Sequence, residues 1–374
     1  MAPVSFGAPP PPVGLDIGTD SIRAAQIKST GAGFKLVNYG SVPMPFGAVV
    51  EGEIVDPEAV SAAIKELWKR FGFRVSDVAI GVSNQKVVVR LIDLPFMERD
   101  ELQGAIQYQA QDYIPIPVEE AIIDFQVIGD YVTPTDEHMM ELLLVAAQRD
   151  MIQTAVAAVE GAKLKLAQVD VTAFALVRAL LGTTPSWLAD DGGGADEAVG
   201  IVHMTAGQTN IVVVERGIPR FTRVSGLAGN QFTQAVANVL NLTFDEAEEL
   251  KDAVGLPGID AAADPQLTAE PQNVQTAQEA LEREANKFIA EVRRSLDYYL
   301  TQATQVRTIK RIYLTGTGAQ LKNLPSYLEK GLQTQIVLGD PLSHVTASGA
   351  VEQAVLADRM GCAPAIGLAL GGVS

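Results

Sequence analysis

The sequence predicts an α/β protein of two related lobes that face each other across a cleft. Three observations lead there. At 374 residues the chain is longer than one ordinary hydrophobic core organises. A meander of three short strands, read at 13–43, returns after residue 198 with Asp16 aligned on His203. In each copy the first turn is made of small residues, "DIGTDS" and "HMTAGQT", a kind of turn that presents backbone N–H groups to an anion.

Taken in order, "MAPVSFGAPPPP" lacks the basic start and apolar centre of a signal peptide, and its prolines predict a disordered leader over 1–12. Residues 13–43 read as strand, "DIGTDS" turn, strand, "TGAG" turn, strand. A helix follows in "DPEAVSAAIKELWKRFG", with Asp56 as N-cap, Pro57 in the first turn and Gly72 as the stop. Val60, Ile64, Leu67 and Trp68 fall on one face of it. "DVAIGVS" (77–83) is the next strand.

The stretch 84–163 contains the strand "KVVVRLIDLP", a helix through "MERDELQGAIQYQAQDYIP" ended by Pro115, two strands, "AIIDFQVIGDYV" and "MMELLLVAAQ", and a further helix from Arg149. This αββα-like group reads as a compact insertion with its own sheet. "AQVDVTAFALVRALLG" returns to a strand and helix, and the Gly-, Pro- and Asp-rich 183–198 reads as a linker. The first lobe thus comprises 13–83 and 164–197. The second comprises 198–240 and 303–360 around a helical insertion at 241–302, and 361–374 returns to the first lobe. Within the second insertion, 257–275 reads as a mobile polar loop.

Charge and composition exclude several classes. The net charge is −17, which argues against a nucleic-acid partner, because tracking a phosphate backbone needs a basic face. One nucleotide can still be held by backbone N–H groups and a metal ion. The single cysteine, Cys362, leaves no internal disulfide, and the scattered His138, His203 and His344 lack zinc-ligand spacing. No apolar run reaches the ~18 residues of a membrane span, so membrane attachment is expected only through a partner, without direct insertion.

At the first turn, Gly18 permits close backbone approach, Thr19, Asp20 and Ser21 supply N–H groups, and Asp16 is placed to hold magnesium through water. The same residues also suit an ordinary β-hairpin in which Asp and Gly only make the turn.

"GLDIGTDSIRAAQI" resembles the first phosphate loop of the actin/Hsp70/sugar-kinase superfamily. Further resemblances follow in the expected order: "GLAGNQFTQAVAN" (226–238) after the second phosphate hairpin, "EAEELK" (246–251) near ribose and base, "YLTGTGAQLKNLPSYL" (313–328) as the adenosine motif, and "APAIGLAL" (363–370) as the closing segment. Within that superfamily, residues 94–128 ("LPFMERDELQGAIQYQAQDYIPIPVEEAIIDFQVI") and "EVRRSLDYYL" (291–300) resemble the PilM family of type IV pilus assembly. The related FtsA layout ends in an amphipathic membrane helix, which "GLALGGVS" does not resemble.

This resemblance implies a two-lobed actin-like ATPase fold, a duplicated RNase H-like core with subdomain 1C inserted at 84–163 and subdomain 2B at 241–302. It implies ATP with Mg2+ in the cleft, the metal linked to Asp16. Phosphate contacts would come from Asp16, Gly18, Thr19, Asp20 and Ser21, and from Ala206, Gly207, Gln208, Thr209, Gly229 and Asn230. Glu248 and Lys251 would meet ribose or base, and Gly316, Thr317 and Gly318, with Arg294 and Ser295, would complete the adenine pocket. Read without the resemblance, Glu248 and Lys251 are a solvated i, i+3 ion pair and Arg294 a solvated side chain. Asp170 suits either a strand end near the terminal phosphate or the N-cap of "TAFALVRAL".

His203 and Thr205 stand where the superfamily carries Asp and Gly, and Ala228 stands for the first of two glycines. A neutral imidazole replaces a carboxylate poorly toward magnesium or attacking water, and Thr205 is expected to be strained at a glycine's backbone angles. His203 reads as a filler of a cleft that no longer hydrolyses, or as a phosphate contact or pH sensor. The resemblance accordingly implies a cytoplasmic ATP-binding scaffold with weak or absent hydrolysis. It would dock the N-terminal tail of a PilN-like inner-membrane protein, a tail beginning M-x-x-x-N-L-L, among other pilus assembly proteins. Leu94, Phe96, Tyr108, Tyr113 and Ile114, around the rigid "YIPIPVEEA", are the candidate peptide groove, with core packing as the alternative for each and favoured for Phe125. A working ATPase or phosphotransferase, and a filament-forming protein, are the other readings of the same fold.

Overall fold

The structure, a computed structural model, describes residues 10–31, 33–183, 197–258, 270–303 and 306–373. Most of the expected leader, most of the 183–198 linker and the centre of the 257–275 loop lie outside the described residues.

The first meander forms β1 (Val13–Ile17), β2 (Ser21–Thr30) and β3 (Gly33–Pro43), antiparallel in order, with Asp16 opposite Arg23. A small hairpin, β4 (Val49–Val50) and β5 (Glu53–Ile54), leads into α1 (Pro57–Phe71). The Asp56 carboxylate accepts the Glu58 and Ala59 N–H groups, both at 3.0 Å, and Gly72 ends the helix in the left-handed conformation. β6 (Asp77–Val82) then runs parallel to β1.

The insertion follows as β7 (Val88–Pro95), α2 (Arg99–Gln109), β8 (Ala121–Val132) and β9 (His138–Gln148), a three-stranded sheet in the order β7-β9-β8. α2 ends at Gln109 and tightens into a 3-10 turn over Ala110–Asp112, short of the expected Pro115. The residue before a proline is driven out of the helical region, and the chain tightens ahead of it. Next come α3 (Arg149–Gly161), β10 (Lys165–Val171) and α4 (Thr172–Leu181). α3 buries Ala155, Ala158 and Val159 against Val60 and Ile64 of α1, and the Ser61 hydroxyl donates to the Ala158 carbonyl at 2.7 Å. The small sheet with its helix therefore closes near Gln148, not at the expected 163, because α3 turns its apolar face to the first lobe.

The second meander is β11 (Glu197–Met204), β12 (Thr209–Glu215) and β13 (Ile218–Ser225), and α5 (Gly229–Leu240), α6 (Phe244–Val254) and α7 (Pro271–Gln302) follow. Residues 271–275, expected within a mobile loop, form the first turns of α7, which starts at Pro271. The chain continues through β14 (Thr308–Thr315), α8 (Leu324–Leu332), β15 (Gln335–Leu338), β16 (Val345–Thr346), α9 (Gly349–Ala357) and α10 (Ala363–Gly371).

The two large sheets share one plan. The first runs β10-β6-β1-β2-β3, extended by β16, and the second runs β15-β14-β11-β12-β13. In both, an antiparallel meander is continued by two strands parallel to its first strand. The first sheet packs Val13, Leu15 and Ile80 against α1 and α3, and the second packs Val202, Ile211 and Leu314 against α5, α7 and α8. A third core joins the lobes: Leu176 and Leu180 of α4 and Ile366 and Leu370 of α10 meet Ile201, Val212 and Val214 of the second sheet. Val89 and Leu143 of the insertion enter the same cluster. The Arg220 guanidinium on β13 also reaches Glu141 on β9 at 2.6 Å. Among the described residues no helix is long and apolar enough to cross a membrane.

Candidate functional site

The two equivalent hairpin turns meet where the lobes join. The first is closed by the Gly18 N–H donating to the Ser21 carbonyl at 3.0 Å. The second is closed by the Thr205 N–H and hydroxyl, both donating to the Gln208 carbonyl at 2.9 Å, while the Thr205 oxygen accepts the Gln208 N–H at 3.2 Å. Thr205 is not among the residues with positive φ, so the expected strain does not arise. Its hydroxyl builds the turn that glycine would otherwise permit. The tips touch: a Cβ at Gly207 would lie 2.4 Å from the Thr19 hydroxyl oxygen. Behind them, the Ser83 hydroxyl of the first lobe bonds Asn210 Oδ1 of the second at 2.7 Å.

This contact divides the interlobe space. Behind the tips lies a chamber of about 30 Å³, lined by Asp16, Arg23, Thr172, His203 and Asn210 among others. In front lies a cleft of about 800 Å³, with Thr19 and Asp20 of the first lobe facing Ala206, Gly207, Gly229 and Asn230 of the second. Glu248, Lys251, Thr317 and Gly318 complete the same wall.

The chamber's electrostatics follow from burial. Loss of hydration pushes the Asp16 carboxyl up to about 7, against the pull of Arg23. His203, 2% exposed, is pushed down to about 3 by the same desolvation and by Arg23, so its imidazole is neutral at physiological pH. Arg23, 5% exposed, donates through Nε to Asp358 at 2.7 Å and through Nη2 at 3.3 Å, and the Tyr39 hydroxyl donates to the same carboxylate at 2.5 Å.

Most of the residues expected from the sequence come together here. Asp16, Gly18, Thr19, Asp20 and Gln208 line the chamber, and the cleft residues are those just named. The Gly229 and Asn230 N–H groups are already donated to the Thr205 and Ala206 carbonyls, at 2.9 and 2.8 Å. Lys251 is buried and donates to Glu248 at 2.7 Å and to the Thr233 hydroxyl at 3.2 Å, and Thr233 itself donates to Glu248. The pair is anchored in the wall at its lysine end, while the Glu248 side chain remains 43% exposed.

Six expected residues lie elsewhere. Ser21 and Thr209 are not in the wall of either space. The strand geometry turns both inward, and the Thr209 hydroxyl donates to the Leu227 carbonyl at 2.7 Å. Gly316 lies under the wall, because at φ +96° its Cα packs on β11, where a Cβ would sit 2.1 Å from the Met204 carbonyl oxygen. Arg294 is 68% exposed and pairs with Glu291 at 3.0 Å, and Ser295 is buried and donates back to the Glu291 carbonyl at 2.9 Å. Neither residue lines the cleft. Asp170 neither enters the chamber nor caps α4: it accepts the Val171 N–H at 2.7 Å and pairs with Arg178, and Thr172 lines the chamber instead.

The expected peptide groove separates into two sets. Leu94 and Ile114 are buried in the insertion's core, because α2 and the 3-10 turn close over them, and Phe125 packs against the same cluster. Phe96, Tyr108 and Tyr113 are exposed, and the Phe96 ring stacks on His138 at 4.2 Å. The sequence reading missed Arg23, Ser83, Thr172 and Asn210. The hairpin register held a signal for Arg23 and Asn210, since they are the cross-strand partners of Asp16 and His203.

The polar inventory is mixed: donors such as Asn210 Nδ2 and Thr317 Oγ1 suit a phosphate oxygen, while the acceptors Asp20 Oδ1 and Gln208 Oε1 suit a hydrated cation or water. Asp20 Oδ1, Gln208 Oε1, Asn210 Nδ2, His203 Nδ1, Ser21 Oγ and Thr317 Oγ1 are all buried without a hydrogen-bond partner. Groups of this kind ordinarily find one, and here most of them cluster in the two wall sets. No group of three or more metal-ligating side chains occurs among the described residues. A magnesium ion at Asp16 is therefore compatible only if water and ligand phosphate supply most of its coordination.

Residues 14–373 match the family described as type IV pilus assembly protein PilM. The fold is also that of a solved PilM-PilN type IV pilus biogenesis complex, with a TM-score of 0.79 at 26% identity, covering 97% of this chain and 98% of that one. MreB5 of Spiroplasma citri bound to AMPPNP aligns at TM-score 0.53 and 13% identity, over 96% of this chain and 95% of that one. The cell division protein FtsA of Escherichia coli K12 is 24% identical over 363 residues, 88% of this chain and 84% of that protein. FtsA of Bacillus subtilis 168 is 22% identical over 276 residues, 68% of this chain and 60% of that protein, so the match spans less than two thirds of its length. The two-lobed α/β architecture is therefore the actin-like ATPase fold.

Proposed function

The chain belongs to the PilM family of type IV pilus assembly proteins, and from that premise we propose that it is an ATP-binding scaffold in which a nucleotide sets the arrangement of the two lobes. One observation carries the reading: equivalent hairpin tips from both lobes border an 800 Å³ cleft, whose wall includes Asp20 and Thr317 with their unpartnered Oδ1 and Oγ1.

Thr19 and Asp20 on one side, with Ala206 and Gly207 on the other, would hold the phosphates. Glu248 and Lys251 would meet the ribose or base, Thr317 and Gly318 would border the purine, and Asp16 would hold Mg2+ through water. Bound there, Mg-ATP supplies a polyanion and a cation that both lobes contact at once. A ligand of this kind shifts the lobe equilibrium by its difference in affinity for the two arrangements. Lys251 is held in place by Glu248 and Thr233 before any ligand arrives.

Hydrolysis is proposed to be weak or absent. His203 occupies the place equivalent to Asp16, and an imidazole pushed down to about 3 is a poor base toward water. The partner proposed is the N-terminal cytoplasmic tail of a PilN-like inner-membrane protein, so that the chain acts in the cytoplasm at the membrane through that partner. Its docking place is proposed on the exposed side of the insertion, where Phe96, Tyr108 and Tyr113 remain accessible.

Saturating Mg-ATP at ~100 times its dissociation constant should add roughly 2.7 kcal/mol of stability, read by thermal denaturation. A synthetic tail beginning M-x-x-x-N-L-L should bind with an affinity that changes when Mg-ATP is present. No thermal shift with any nucleotide would remove the switch and leave a nucleotide-free scaffold. Tail binding indifferent to nucleotide would remove the coupling alone.

A further inference from the structure

Phe46 is 95% exposed, the most exposed of the large apolar residues described. Among the described residues the ring has no aromatic partner and belongs to no hydrophobic cluster. Isolated exposed apolar residues are common, and exposure alone carries nothing. Phe46, however, is presented rigidly and at one particular place.

The chain around it is a closed turn, in which the Ala48 N–H donates to the Pro45 carbonyl at 3.1 Å. Phe46 and Gly47 are the central pair, and Gly47 at φ +79° takes the position that a type II turn reserves for glycine. Pro45 precedes it with φ restricted by its ring. Both ends are tied down. The Met44 N–H donates at 2.9 Å to the carbonyl of Asp20, at the tip of the first hairpin, and the Ala48 carbonyl accepts Val55 at 2.9 Å and Asp56 at 3.2 Å. The ring therefore stands on a braced support coupled to the hairpin tip.

That support borders the 800 Å³ cleft. Met44, Phe46 and Gly47 line it from the first lobe, and Phe244, Glu248 and Lys251 line it from the second. One end of the cleft carries the hairpin tips, suited to phosphate, and aromatic rings line both walls, Phe46 from the first lobe and Phe232 and Phe244 from the second. A ligand with an anionic chain and a flat aromatic group matches both features.

We propose that Phe46 covers the flat base of a nucleotide in this cleft from the first-lobe side and so sets preference for ligands that carry a base. The proposal rests on the cleft being a nucleotide site. It adds a contact between base and first lobe, opposite the Glu248–Lys251 wall, so that bringing the lobes together and covering the base become one event. Phe46 acts as a specificity residue and touches no phosphate.

The test is calorimetric titration of the full chain and of Phe46→Ala and Phe46→Trp with Mg-ATP and with inorganic tripolyphosphate. Because the side chain is exposed and unpacked, neither substitution removes a core contact. A stacked base is lost at a cost of roughly tenfold in affinity. Phe46→Ala should therefore bind Mg-ATP about tenfold more weakly with tripolyphosphate binding unchanged. Phe46→Trp should restore ATP binding, with the added indole fluorescence quenched by ATP and not by tripolyphosphate. Equal ATP affinity in the parent chain and Phe46→Ala overturns the proposal and leaves the nucleotide site standing. Parallel weakening toward tripolyphosphate also overturns it, since the ring would then act through the hairpin. If the parent chain binds neither ligand, the nucleotide reading itself falls.

Discussion

Replacing Arg23 by methionine tests how the first hairpin is anchored. Arg23 is 5% exposed, and its guanidinium gives two hydrogen bonds, at 2.7 and 3.3 Å, to Asp358, whose side chain is 20% exposed. Methionine keeps most of the apolar stem, so little cavity forms between β2 and Gly361, which packs directly against the guanidinium. The main loss is electrostatic, because the partly buried Asp358 is left without its cation. Breaking a buried pair by removing one partner costs about 3–5 kcal/mol. Asp358 retains the Tyr39 hydroxyl at 2.5 Å and some contact with water, which places the expected loss at the lower end, about 3 kcal/mol. Urea denaturation at pH 7 measures it. The double variant Arg23→Met/Asp358→Leu removes both charges and should be more stable than Arg23→Met alone, giving a coupling of about 2 kcal/mol in the cycle. An Arg23→Met variant within 1 kcal/mol of the parent, or strictly additive single changes, would refute the reasoning.

His203 makes a pH-dependent prediction whose sign follows from its low folded value. Between about 3 and 6.5 the unfolded chain takes up a proton that the folded chain refuses, so this residue's contribution to stability is present above 6.5 and is lost on acidification. His203→Leu should lose about 2–3 kcal/mol less than the parent between pH 6.5 and 4.5, and matching pH profiles in urea would contradict the burial argument. Gly316→Ala should cost about 3 kcal/mol or more, from a backbone collision at 2.1 Å added to a backbone conformation that suits only glycine. It should also abolish the thermal shift with Mg-ATP by displacing Thr317 and Gly318. An alanine variant of parental stability would mean that the close approach to Met204 is not obligatory.

Which segments form which elements was legible in the sequence, and the reason is local. Asp56 and Gly72 bound α1 through hydrogen bonds spanning a few residues, and short apolar runs bounded by turn residues mark the strands of both meanders. The duplicated plan was legible for the same reason, since the turn after Asp16 and the turn after His203 each carry their own chemistry. Most of the cleft wall also followed, because the motifs lie at the ends of those elements. Tertiary structure alone decided how distant surfaces pair. Arg23 and Asp358 are 335 residues apart in the chain, and no local pattern selects that partner. α3 closes on α1 instead of the insertion, and the insertion reaches the second lobe through Glu141 and Arg220. Arg294 faces water while the other side of α7 packs on α5 and α8. Periodicity says that a helix has an apolar face, but the shape and charge of whatever covers that face lie elsewhere in the chain.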